Sequence, residues 1–164
     1  MGQSGLRFLG YVLMSLGRYD EAKAVYTHAN ELSPDPDAWD GALGDILLWQ
    51  GHPHEALEKY ATRDDGPFKL LRLSQVYFTL GRKAESDAAL KQVESKYSDD
   101  LPFQIAEIHA WRGNNDLAFK WLNRALDLRD AYLGDVKLSQ EISLLKDDPR
   151  YSEFLKRMNF PNGS

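Results

Sequence analysis

The chain has 164 residues, 43% of them hydrophobic and 27% charged, a balance that builds one domain with a real core and excludes a disordered chain. Twenty Lys and Arg against 25 Asp and Glu leave a net charge of -5, so no overall positive field exists to hold a phosphate backbone, and direct nucleic-acid binding is not expected. The absence of cysteine removes disulfide frameworks, thiolate nucleophiles and cysteine-ligated zinc or iron-sulfur sites.

The first apolar stretch, Leu6 to Leu16, is broken by Arg7 and has no basic segment before it. It reads as neither a signal peptide nor a membrane span, and a soluble, cytoplasmic chain without membrane insertion is expected. Leu6, Leu9, Leu13 and Leu16 recur at three and four, the spacing of an amphipathic helix, and Gly17 ends that helix. Ala22, Val25, Tyr26 and Ala29 form a second such face before Pro34 and Pro36. The arrangement then returns at an offset of 34, pairing Leu9 with Leu43, Gly10 with Gly44, Leu13 with Leu47, Gly17 with Gly51, Glu21 with Glu55, Ala22 with Ala56 and Tyr26 with Tyr60. This is an internal repeat.

Gly81 follows Gly51 by 30 residues and Gly113 follows Gly81 by 32, each closing another apolar helical pattern. The spacing gives four units, at about 3–36, 37–66, 67–98 and 99–130. Each glycine stands where a first helix must stop, because glycine enters the left-handed cap conformation without a side-chain clash. Pro34, Pro36, Pro53, Pro67 and Pro102 fall between segments or in a first turn, where a missing amide proton costs little. Asp65-Gly66 lies between two helical patterns instead of two strands, and the chain reads as all-α.

The period, together with Leu9-Gly10, Gly17-Arg18-Tyr19-Asp20-Glu21-Ala22, Tyr26, Ala29 and Pro34, resembles the tetratricopeptide repeat, a helix-turn-helix unit. The resemblance implies a right-handed α-α superhelix, a solenoid of about four helix pairs closed by a C-terminal capping helix, all within one domain over 1–164. The second unit keeps Leu43-Gly44, Gly51, Glu55-Ala56 and Tyr60, but it has Pro53 for the turn aromatic, Arg63 at the last small position, and four residues fewer. Four residues are about one helical turn, so its second helix should end near Arg63, with Asp64-Asp65-Gly66-Pro67 as the connection. The third unit, around Leu73-Ser74, Tyr77, Gly81 and Ser86, reads as degenerate, while the fourth recovers Ala106, Gly113, Ala118 and Ala125.

Beyond the fourth unit, Asp148-Pro149 is a helix-start signal, and Tyr151, Phe154, Leu155 and Met158 share one apolar face. This tail, 131–160, is expected to cap the last repeat, whose packing surface would otherwise face water. It looks like a tail on some bacterial proteins of this kind, in which the repeats follow a winged-helix DNA-binding domain or a nucleotide-cyclase domain.

The resemblance places particular positions of each first helix on the inner wall of the superhelix. In this chain they include Arg7 and Tyr11, then Asp45 and Trp49, then Arg72, Gln75 and Phe78, and finally Gln104, Glu107 and Trp111. Aromatic rings beside guanidinium groups suit a peptide segment, because rings supply buried area at low entropic cost and Arg fixes polar ends. Trp49, Phe78 and Trp111 have a second reading, as packing between adjacent helices. Relatives that clamp a peptide carboxylate use Lys and Asn on successive first helices. Here Arg7 and Arg72 fall at basic positions, but Tyr11 and Ala42 stand in place of Asn.

His28, His52, His54 and His109 do not converge on a ligand spacing, so neither metal nor cofactor is expected. The acidic pairs Asp64/Asp65, Asp99/Asp100 and Asp147/Asp148 each precede an expected helix and read as caps. No phosphate-loop, nucleophile-elbow or His-Glu-x-x-His run occurs. The expected role is a non-catalytic interaction module, a scaffold or adaptor, for a protein or peptide in the concave groove, with a homo-oligomer as a further arrangement. The alternative is a regulatory or sensory C-terminal domain of a larger bacterial signalling protein.

Overall fold

A computed structural model describes residues 2–159, and of residues 36–38 the backbone alone; residue 160, the end of the expected cap, lies outside the described residues. Among the described residues there is helix and no strand. The chain gathers into two compact units, residues 1–89 and 90–164, with the border inside one helix.

In the first unit, α1 (Gln3–Ser15) pairs with α2 (Tyr19–Leu32), α3 (Pro36–Trp49) with α4 (Pro53–Ala61), and α5 (Pro67–Thr79) with the start of α6 (Lys83–Lys96). Successive pairs also touch, α2 on α3 and α4 on α5, which is the stacking of an α-solenoid. In the second unit, α7 (Pro102–Trp111) pairs with α8 (Asn115–Leu128). A 3-10 helix (Ala131–Asp135), α9 (Gln140–Ser143) and α10 (Pro149–Arg157) follow. The all-α, paired-helix architecture is the one that the periodicity implies.

Glycine and proline punctuate the pairs as their chemistry dictates. Gly17, Gly51, Gly81 and Gly113 have φ of 71, 83, 74 and 71°, the left-handed region in which a side chain is strained. Helices α3, α4, α5, α7 and α10 open on proline, whose fixed φ suits a first turn. The shortening of the second repeat falls on α4, which has 9 residues where α2 has 14.

Close approach within a pair follows from what faces what. A Cβ on Gly44 would lie 2.6 Å from Cε1 of the Tyr60 ring, and Gly10 lies as tightly against Tyr26. In the later pairs the tyrosine position holds Leu90 or Leu122, and the glycine position holds Ser74 or Ala106. Glycine is therefore kept where the opposing residue is a ring. Ser74 and Ser86, both buried, meet across α5 and α6, where the Ser86 hydroxyl donates to the Ser74 carbonyl. Arg63 at a small position does not splay its pair, because its guanidinium lies where a Cβ on Gly41 would be.

Of the three acidic pairs, Asp147/Asp148 supplies a cap: Asp148 accepts the Arg150 amide at 3.0 Å. The caps of α5 and α7 are Gly66 and Leu101, with no side-chain bond, which corrects the expectation for the other two pairs. The reason is register, since one residue separates Asp65 and Asp100 from their prolines whereas Asp148 directly precedes Pro149. Asp65 instead pairs with Lys69 at 3.0 Å, and Asp99 with Arg124. The α7 amide of Phe103 is taken by Asp130, 3.2 Å away.

The tail completes the second core. Phe103, Ala118, Phe119 and Leu122 are buried together with Leu133, Val136, Ile142, Leu145 and Phe154 from the tail. Tyr151, Leu155 and Met158 pack against the same cluster, as the apolar face of α10 implies. Arg150 fixes the helix by bonding Asp148 at 2.7 Å and Asp116 of α8 at 2.7 Å, with its guanidinium 4.5 Å over the Phe119 ring.

Those bonds give a pH dependence. The Arg150 side chain and amide hold the Asp148 carboxyl well below the ordinary aspartate value, at about 2. A depressed folded-state value means that the carboxylate stabilises the tail above the unfolded-state value of about 4 and loses this effect as pH falls towards 2. We expect acid titration followed by circular dichroism to show part of the loss of helix between pH of about 4 and 2, and Asp148→Asn to remove that component. An unchanged acid profile in the variant would exclude this contribution.

Candidate protein-binding surface

Seven of the candidates lie on the first helices of unit 1: Arg7 and Tyr11 on α1, Asp45 and Trp49 on α3, and Arg72, Gln75 and Phe78 on α5. Arg7 is exposed, with its guanidinium 5.6 Å from the centroid of the Trp39 ring. Trp39 is itself buried and fixed by donation from its indole nitrogen to the Ser33 carbonyl at 2.9 Å. The Arg7 carbonyl accepts the Tyr26 hydroxyl at 3.4 Å. Burial pushes the Tyr26 phenol up from its ordinary pKa, and the Asp45 carboxylate adds to the shift, so this hydroxyl stays protonated at any working pH.

Asp45, Arg72 and Gln75 are brought together. Oδ1 of Asp45 accepts the Tyr60 hydroxyl at 2.8 Å and Nε of Arg72 at 2.9 Å, and Arg72 Nη1 donates to Oε1 of Gln75 at 3.1 Å. One carboxylate thus ties α3 to both α4 and α5. Its effect is to hold the Arg72 guanidinium, half-buried, in one orientation, so less side-chain entropy is lost if a ligand meets it. Tyr60 was not among the sequence candidates; the match with Tyr26 marks it as a packing ring and gives no sign of what its hydroxyl does. Among the other candidates of unit 1, Tyr11 is half-buried, Trp49 is half-buried and packs against the core that holds Tyr26 and Trp39, and Phe78 remains 36% exposed.

In unit 2 the structure places the candidates differently. Helix α7 is buried from Pro102 to Ala110, so Gln104 and Glu107 face the protein interior. Glu107 accepts the Ser139 hydroxyl at 2.7 Å, and the same hydroxyl caps α9 by accepting the Ile142 amide at 3.2 Å. The tail that completes the core therefore also engages Glu107. Trp111 is half-buried at the end of α7. His109, buried two residues earlier, lies with Nε2 2.8 Å from the Glu94 carboxylate.

Among the described residues no group of three or more His, Asp or Glu is placed to hold a metal ion. His52 and His54 are exposed near the start of α4, the former 3.3 Å from Glu55. No helix among the described residues is long and apolar enough to cross a membrane.

Two family models, each described as tetratricopeptide repeat, match the sequence, one over residues 8–36 and the other over residues 70–100. No curated protein matches the chain. The second match covers the third unit, which stays recognisable as a tetratricopeptide repeat despite its departures from the repeat pattern. The facing Ser74 and Ser86 explain why: a hydroxymethyl group is small enough for the helix approach that Gly and Ala permit elsewhere, and the buried hydroxyl of Ser86 finds the Ser74 carbonyl.

Proposed function

Because this chain is a tetratricopeptide repeat protein, a class that generally mediates protein-protein interactions, we propose that it is a non-catalytic scaffold or adaptor. On this reading the first helices of unit 1 take up a peptide segment of another protein. The supporting observation is the presence of aromatic and guanidinium groups on successive first helices: Arg7 exposed on α1, Trp49 half-buried on α3, and Phe78, exposed, on α5, the helix that also carries the fixed Arg72. Rings give desolvated area, and a guanidinium fork gives polar register; together they favour an extended or helical segment that carries both apolar and acidic groups. Gln75, Gln104 and Glu107, being buried, are left out of this surface, and Trp111 would contribute to a separate contact.

The test is to select peptides against the purified chain from a random display library and to measure their affinity for variants. Phe78→Asp and Trp49→Ala should each weaken binding by about tenfold or more, the cost of losing a buried aromatic anchor, with helix content by circular dichroism unchanged. Peptides that bind both variants as well as the original chain would exclude this surface. A variant that loses helix content identifies that ring as core.

A further inference from the structure

Two arginines stand on the first helices of unit 1, and their charges are treated differently. Arg72 of α5 meets a carboxylate: its Nε lies 2.9 Å from Oδ1 of Asp45, and its Nη1 donates to Oε1 of Gln75 at 3.1 Å. Gln75 is buried, and the buried Tyr60 donates its hydroxyl to the same Asp45 oxygen at 2.8 Å, so the ion pair is braced from the core. That hydroxyl is not needed for packing, since Leu90 and Leu122 fill the same position in the later pairs. Arg7 of α1 is exposed and lies 5.6 Å from the centroid of the Trp39 ring; no carboxylate among the described residues pairs with it. A ring face attracts a cation without cancelling its charge. Between Gln3 and Gly17 Arg7 is the only ionisable side chain, so no acid of α1 offsets it either.

The two arginines belong to one run of helices. Arg7 reaches from α1 to Trp39 of α3, and Asp45 of α3 reaches Arg72 of α5. The Tyr26 phenol, raised in pKa first by burial, is raised further by Asp45 and lowered by Arg7, so both charges act at one hydroxyl. We propose that Asp45 sets which way a bound peptide lies: it withdraws Arg72 from anion binding, so the segment lays an Asp or Glu side chain on Arg7 and a neutral acceptor, an amide or a hydroxyl, against Arg72. An acid brought to Arg72 would come under the repulsion of Asp45 at close range, whereas a neutral acceptor meets a guanidinium held still and forfeits nothing to that charge. This inference rests on the peptide-binding reading and adds to it the chemistry that each end of the surface selects.

Double-mutant cycles between peptide and protein test it. Peptides selected from the display library are made with both ends capped, so that side chains alone carry charge, and each acid is replaced in turn by its amide. Calorimetric titration of the full chain, of Arg7→Gln and of Arg72→Gln should show one peptide acid coupled to Arg7 by about fivefold or more, and none coupled to Arg72 beyond about twofold. Asp45→Asn removes the charge but keeps an oxygen that can accept from Tyr60 and Arg72. Selection against that variant should return segments with a further acid, coupled to Arg72 by about tenfold. A peptide acid coupled to Arg72 in the original chain, or segments from Asp45→Asn with no acid coupled to Arg72, would overturn the inference. The first of these results does not require Asp45→Asn to fold. Peptides indifferent to Trp49→Ala and Phe78→Asp would instead dismiss the surface, and this inference with it; ring-dependent peptides whose acid couples to Arg72 would leave the surface standing and dismiss the role of Asp45 alone.

Discussion

Phe154→Ala is expected to destabilise the second unit by about 3–5 kcal/mol, the range for removing a buried ring from a core that cannot fully close over the gap. Phe154 is the buried residue of α10, and it packs in one cluster with Phe103, Phe119 and Leu122. A two-turn helix of 9 residues has little stability of its own, so this ring, with the bonds of Arg150, holds it in place. Urea unfolding monitored by circular dichroism should show the loss as a lower midpoint. A shift below about 1 kcal/mol would mean that the tail is an appendage and that the α7–α8 core stands without it.

Gly44→Val is expected to cost about 3 kcal/mol, the upper end for overpacking a filled site. Helix propensity argues the other way, because leaving glycine gains up to about 1 kcal/mol in a helix interior. Packing wins because Gly44 faces the Tyr60 ring, which is fully buried and held at its hydroxyl by Asp45 at 2.8 Å, so neither end can swing away. The compensating change is visible within the chain, where Ala106 and Leu122 occupy the same two positions. A double-mutant cycle of Gly44→Ala with Tyr60→Leu should therefore show a coupling of about 1 kcal/mol or more, with the pair less damaging than the sum. Additive losses would contradict a direct glycine-ring contact.

Much of this architecture is legible in the residues. The glycine spacing gives the turns, the prolines give the helix starts, and the shortening of the second unit falls on α4 as expected. What escapes is contact between segments that no period relates. Repeat position says which side of its helix Glu107 occupies, but not that Ser139, from an irregular tail, reaches it. Arg63 reads as too large for its place until Gly41 is seen to make room. The acidic pairs read alike, and a one-residue difference in register decides which of them caps a helix. The candidates of unit 1 could be named because a glycine closes each first helix and so marks its register. Even there the bond from Tyr60 to Asp45 and the ion pair of Arg72 with Asp45 follow from three-dimensional closeness and from no motif.

The most direct test of protein docking through unit 1 uses the four tryptophans, whose indole protons give separate nuclear magnetic resonance signals. Titrating a selected peptide should move the indole signal of Trp49 on α3 and leave that of Trp121 on α8 in place. A peptide that binds while shifting Trp121 and sparing Trp49 would contradict docking at this surface.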